Sequence, residues 1–148
     1  MALPTVFVRE LNGHQGPVRA VRFNINGNYC LTCGNDKLLK LWNPYSGVEL
    51  NSYGGHGYEV LDAVASDDSA RIASCSADRT VVLWEVSTGQ IIRKFRGHIS
   101  VSELEYYRGS IILYLTKRAA HVYSIPVYSR MQTRELREFV KIRTVGES

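Results

Sequence analysis

The chain has 148 residues, 45% of them hydrophobic and 22% charged, enough for an ordinary core and unlike the composition of collagens, coiled coils or disordered chains. No apolar run approaches the roughly 20 residues of a membrane helix, and Met1 to Arg9 lacks the basic head and long apolar stretch of a secretory signal. The net charge of +4 sits mostly in residues 99–148, which hold eight Lys and Arg against five Asp and Glu. After a segment of residues 1–10, Val18 to Phe23 alternates apolar and polar residues, the period-2 pattern of a half-buried strand. The turn formers of 24–28 lead into a second strand, Tyr29 to Cys33. Gly34-Asn35-Asp36-Lys37 predicts a tight turn, Leu38 to Trp42 a third strand, Asn43 to Gly47 another turn, and Val48 to Tyr53 a fourth strand. The same order then recurs as Val60–Ala65, Arg71–Cys75, Thr80–Trp84 and Gln90–Phe95.

That recurrence is a repeat. Gly13-His14, Gly55-His56 and Gly97-His98 stand 42 residues apart, as do Asp36 and Asp78, Trp42 and Trp84, Cys33 and Cys75, and Gly47 and Gly89. Four strands per 42 residues predict all-β structure built from propeller blades. A Gly-His pair followed 28 residues later by a Trp at the end of an apolar strand resembles the WD40-repeat family, although the dipeptides here read Trp42-Asn43 and Trp84-Glu85. The expected fold is therefore a partial WD40 β-propeller. Its parts are two four-stranded antiparallel blades in residues 11–98 (about 13–54 and 55–96) and a divergent basic tail, 99–148. Strings such as Leu39-Lys40-Leu41-Trp42-Asn43-Pro44 and Val86-Ser87-Thr88-Gly89-Gln90 resemble, within that family, the seven-bladed scaffolds that organise mitogen-activated protein kinases.

The resemblance implies a buried hydrogen-bonded quartet in each unit: His14, Thr32, Asp36 and Trp42, then His56, Ser74, Asp78 and Trp84. The chemistry of these side chains fits that role. A buried indole N–H needs an acceptor, a hydroxyl can relay between donor and acceptor, and an Asp in a tight turn can take backbone N–H groups as well as a His. His, hydroxyl and Asp also spell a hydrolase triad. The trio occurs twice at one spacing, each time with a Trp, which suits architecture better than a single active site, and no catalytic residue is assigned. A metal is not expected either, because the His and Asp ligands are split between units and Cys30-Leu31-Thr32-Cys33 lacks a second Cys pair. Three cysteines are too few for a disulfide framework and predict a reducing compartment, cytoplasmic and also nuclear. Gly54-Gly55-His56-Gly57 has no following Lys-Ser/Thr to support phosphate binding, and no cofactor is expected.

Function is expected on the loops beside the quartets. Pro17, Lys37, Tyr58, Glu59 and Arg79 are the candidate partner contacts, rigid or aromatic residues among them losing little entropy on binding. The family resemblance implies a non-catalytic protein-interaction scaffold of extracellular-signal-regulated kinase cascades, with a prolyl hydroxylase and splicing factors as further partners. A ribonucleoprotein component binding RNA through the basic tail is the alternative. A propeller enzyme would need a cluster of acids, ligands or a nucleophile that the sequence does not present. A third unit would put Asp near 120 and Trp near 126, where Ala120 and Pro126 stand; Thr116 keeps the hydroxyl. Strands at Val101–Tyr107, Ser110–Thr116 and Ala120–Ser124, with Tyr123 in place of the Trp, would make a degenerate blade. Gln132 to Arg143 is instead rich in helix formers, and a tail of splice or frame-shift origin is the other reading. Two blades cannot close a ring, so exposed apolar blade faces and self-association are also expected.

Overall fold

The computed structural model describes residues 6–96 in full, together with the backbone of 101–107, 110–115, 120–126 and 140–145 and the side chain of Leu104. All twelve elements are strands: β1 (Val18–Phe23), β2 (Cys30–Gly34), β3 (Leu38–Asn43), β4 (Val48–Gly54), β5 (Val60–Ala65), β6 (Arg71–Ser76), β7 (Thr80–Glu85), β8 (Ile91–Arg96), β9 (Val101–Tyr107), β10 (Ser110–Leu115), β11 (Ala120–Pro126) and β12 (Val140–Val145). They form three four-stranded antiparallel sheets in simple meander order, β1 to β4, β5 to β8 and β9 to β12. Among the described residues no helix is long and apolar enough to cross a membrane.

The first two sheets repeat in detail. Each has a bulge early in its first strand, at Arg19 between the paired residues Val18 and Ala20 and at Leu61 between Val60 and Asp62. Each has a second bulge in its fourth strand, opposite the step from Leu41 to Trp42 and from Leu83 to Trp84. A bulge bends the strand and increases its twist, so bulges at matching positions give the sheets matching curvature and let them nest. Their turns match as well. Lys37 and Arg79 hold φ of 68° and 64°, and Gly27 and Ser69 hold 75° and 56°.

The core lies between the first two sheets. Leu31, Cys33, Leu39 and Tyr53 from one side meet Ala63, Ile72, Val82 and Trp84 from the other, and Tyr53 and Trp84 touch edge-on with ring centroids 5.6 Å apart. Burying each of the larger apolar side chains stabilises the fold by about 1.5–3 kcal/mol. The first strands of the three sheets lie side by side, β1 on β5 and β5 on β9. Asp62, only 2% exposed, ties them. Its carboxylate accepts from Arg22 Nε at 3.1 Å and Arg22 Nη2 at 2.9 Å in the first sheet, from its neighbour Ala63 N at 2.9 Å, and from Leu104 N at 3.0 Å in the third. A carboxylate so far from water needs this many donors to stay charged.

Residues 101–126 fold where the degenerate-blade reading puts strands. The helix-former reading of 132–143 fails where it can be checked. Residues 140–143 lie in β12, paired antiparallel with β11, because Val140-Lys141-Ile142-Arg143-Thr144-Val145 alternates apolar and polar and fits a strand. Residues 132–139 and Thr116 lie outside the described residues, as does the side chain of Tyr123.

Candidate functional site

Each quartet is assembled by three elements. The loop before the first strand brings His, the second strand brings the hydroxyl, and the turn and third strand bring Asp and Trp. In the first blade, Trp42 Nε1 donates to Thr32 Oγ1 at 2.8 Å, and Thr32 Oγ1 lies 2.6 Å from His14 Nε2. His14 Nδ1 lies 2.9 Å from Asp36 Oδ2, whose carboxylate also accepts from Gln15 N at 3.1 Å and Leu38 N at 3.2 Å. The donor inventory sets the protons. Thr32 already accepts the indole N–H, so its own hydrogen goes to His14 Nε2, and the imidazole donates Nδ1–H to Asp36.

The second blade repeats the chain with one more link. Trp84 Nε1 donates to Ser74 Oγ at 2.8 Å, and Ser74 Oγ lies 2.6 Å from His56 Nε2. His56 Nδ1, however, meets Thr80 Oγ1 at 3.1 Å and is 3.5 Å from Asp78 Oδ2. Thr80 passes the bond on, donating to Asp78 Oδ1 at 2.5 Å, while Gly57 N and Thr80 N also donate to that carboxylate at 2.8 and 2.9 Å. Sequence reasoning missed Thr80. The signal was the repeat itself, since the matching position is Leu38, which has no hydroxyl and leaves His14 to reach Asp36 directly.

The glycine of each Gly-His pair is required by the indole. A Cβ on Gly13 would stand 2.7 Å from Trp42 Cη2, and one on Gly55 would stand 3.2 Å from Trp84 Cη2. The titration of the network follows its bonds. Burial raises Asp36 and Asp78, but the hydrogen bonds that converge on each outweigh it and hold both carboxyls below the usual 3.8. Burial pushes His56 below its usual 6.5, against the pull of Asp78.

Two triad-like chains, hydroxyl to His to Asp, are therefore present, and neither hydroxyl can attack a substrate. Ser74 is 0% exposed and Thr32 is 6% exposed, and each oxygen is capped by an indole N–H. The cysteines are equally sealed. All three are free and buried, with burial pushing Cys33 up to about 12 and Cys75 up as well. Among the described residues no group of three His, Cys, Asp or Glu side chains could hold a metal ion.

The candidate contact residues surround the networks at one end of the blades. Pro17, Lys37, Tyr58 and Arg79 are exposed and Glu59 is half-buried. Their backbones are held firmly. Pro17 O accepts from Asn35 N at 3.0 Å, Glu59 O from Ala77 N at 3.1 Å, and Tyr58 O from the Ser76 hydroxyl at 3.1 Å. Lys37 and Arg79 occupy the left-handed positions of the two matching turns.

A family profile described as "WD domain, G-beta repeat" matches residues 5–43 and again 47–85, one match over each network. The chain belongs to the WD40-repeat family. Among its WD40 relatives, WD repeat domain-containing protein 83 of Homo sapiens is 60% identical over 72 residues, 49% of this chain and 23% of the human protein. The Dictyostelium discoideum homolog of that protein is 37% identical over 88 residues, 60% of this chain and 27% of its own length. Eukaryotic translation initiation factor 3 subunit I of Schizosaccharomyces pombe is 29% identical over 96 residues, 65% of this chain and 29% of its length. The matched region thus spans less than a third of each of these WD40 proteins.

Proposed function

We propose that this WD40 chain is a non-catalytic protein-interaction scaffold that serves a mitogen-activated protein kinase cascade in the cytoplasm and nucleus. One observation carries the scaffold reading: the chemistry-bearing side chains are spent on one another, while the residues left exposed beside them are presented on rigid turns. Pre-ordered side chains lose little entropy on binding. Three unpaired, buried thiols suit a reducing compartment. The kinase assignment is supported by the resemblance of residues 11–98 to kinase-organising scaffolds and by the relatives named above.

The test is a pull-down of purified extracellular-signal-regulated kinase and its activating kinase on the immobilised chain, beside a Tyr58→Ala/Arg79→Glu variant. Binding that falls at least tenfold in the variant, with an unchanged melting temperature, supports the proposal. Absence of binding to either kinase sinks the cascade assignment. Hydrolytic turnover abolished by Ser74→Ala in a folded protein sinks the scaffold.

A second reading, a ribonucleoprotein component, draws on the eight Lys and Arg of residues 99–148. Its mark is RNA affinity that falls steeply with salt and is lost on removing those residues. Self-association fits the outward face of the first blade, where Val21 and Phe23 are 55% and 61% exposed. Their counterparts Ala63 and Ala65 join the core against the neighbouring blade.

A further inference from the structure

At the end of the blades opposite the networks, the seam between the first and second blades opens into a cavity of about 330 Å³. Its floor is Leu31, Leu41, Ile72 and Val86, all of them part of the core between the blades or packed on it. The cavity is an unfilled continuation of that interface. At its mouth Leu50 and Tyr29 are 47% and 39% exposed, so apolar surface runs from the core to the outside. No charged side chain lines it, which argues against phosphate, nucleic acid or an acidic segment as its ligand.

The rim adds polarity at defined points. Asn24 reaches across the seam, its Nδ2 donating to Ser69 Oγ at 3.2 Å while its Oδ1 accepts Tyr29 N at 2.9 Å. Ser69 holds this position at a φ of 56°, where the matching residue of the first blade is a glycine at 75°. A left-handed conformation costs a non-glycine residue energy, and here it sets a hydroxyl at the seam. The described hydrogen bonds use that oxygen only as an acceptor, so its hydrogen is left to a ligand.

We propose that this seam is a peptide-docking site that takes one bulky apolar side chain of a partner protein, leucine to phenylalanine in size. The Ser69 hydroxyl receives a backbone carbonyl of the segment that carries it. The partner's side chain completes the core between the blades, and Leu50 and Tyr29 close over it. Apolar floors with a few fixed polar groups at the rim are the ordinary form of such sites.

The experiment uses the whole chain labelled at its Leu and Val methyl groups, titrated with N-acetyl-leucinamide, N-acetyl-glycinamide and toluene. Saturable shifts at Leu31, Leu41, Leu50 and Val86 with the leucine probe, and none with the glycine probe, are expected. Ala65→Leu, which fills the cavity, should weaken the leucine probe at least tenfold without lowering the melting temperature. Ser69→Gly, which keeps the turn, should weaken it about threefold while leaving toluene unchanged. Shifts that do not saturate, or that are the same for the glycine probe, overturn the site. Affinity unaltered by Ala65→Leu overturns it too, and affinity unaltered by Ser69→Gly overturns the peptide as its ligand.

Discussion

The two networks use the same four residue types at the same spacing, yet His14 touches its Asp directly and His56 reaches its Asp through Thr80. The difference begins at one position of the repeat, Leu38 in the first unit and Thr80 in the second. In both, every donor points toward the carboxylate: indole to hydroxyl, hydroxyl to imidazole, imidazole onward to Asp. What the architecture preserves is this direction of donation. The length of the chain is free to vary, because a hydroxyl inserted between imidazole and carboxylate accepts one proton and donates another.

The largest expected effect comes from the shared hub. Ser74→Ala leaves Trp84 Nε1 without its acceptor and His56 Nε2 without its donor, both buried. It should cost about 2–4 kcal/mol in denaturant unfolding, and Thr32→Ala should cost nearly as much. A cost below about 1 kcal/mol for both would show that the networks do not hold the blades. Next comes the inserted link. Thr80→Val should cost about 1–3 kcal/mol, because the imidazole and Asp78 then face each other at 3.5 Å with nothing between. The reverse change, Leu38→Thr, should stay within about 1 kcal/mol, since His14 is already satisfied. Equal losses from the two would erase the distinction between the blades.

Acid separates the groups. His56 titrates below 6.5 when folded, so the unfolded chain binds its proton first, and stability falls as pH drops below 6.5 toward the folded value. Asp36 and Asp78 sit below 3.8 when folded; what they contribute is complete above 3.8 and is lost as pH falls further. Melting from pH 7 to 3 should show both declines, and His56→Gln should flatten the upper one. An upper decline unaltered in that variant would assign it to another group. The smallest effect belongs to the turns. Lys37→Gly and Arg79→Gly relieve left-handed backbone and should stabilise by up to about 1 kcal/mol. Destabilisation by either would mean that the side chain holds the turn.

Much of the fold was legible because it is written twice. Strands at Val18–Phe23 and Val60–Ala65 fall where alternation puts them, and the others of the first two blades lie within a residue or so of the expected bounds. The quartets could be located because each residue recurs 42 positions on. What the repeat does not duplicate was hidden. Asp62 matches Ala20 and Leu104, Arg22 matches Val64, and Asn24 matches Ser66, so no period marks the bonds that join one sheet to the next. Thr80 was masked by Leu38 in the same way. In β12 the helix formers before residue 140 obscured a six-residue alternation that needed its neighbour β11 to become a strand.

Asp62 holds the first and third sheets by different means. It grips the first through a guanidinium, which only arginine supplies with this geometry, and the third through the amide of Leu104. Every residue except proline carries that amide. As far as this bond is concerned, the far side of the junction can drift in sequence while its attachment persists, and the burden of constancy falls on residues 22 and 62. A unit that has lost its own Asp and Trp signature can still be moored by its neighbour.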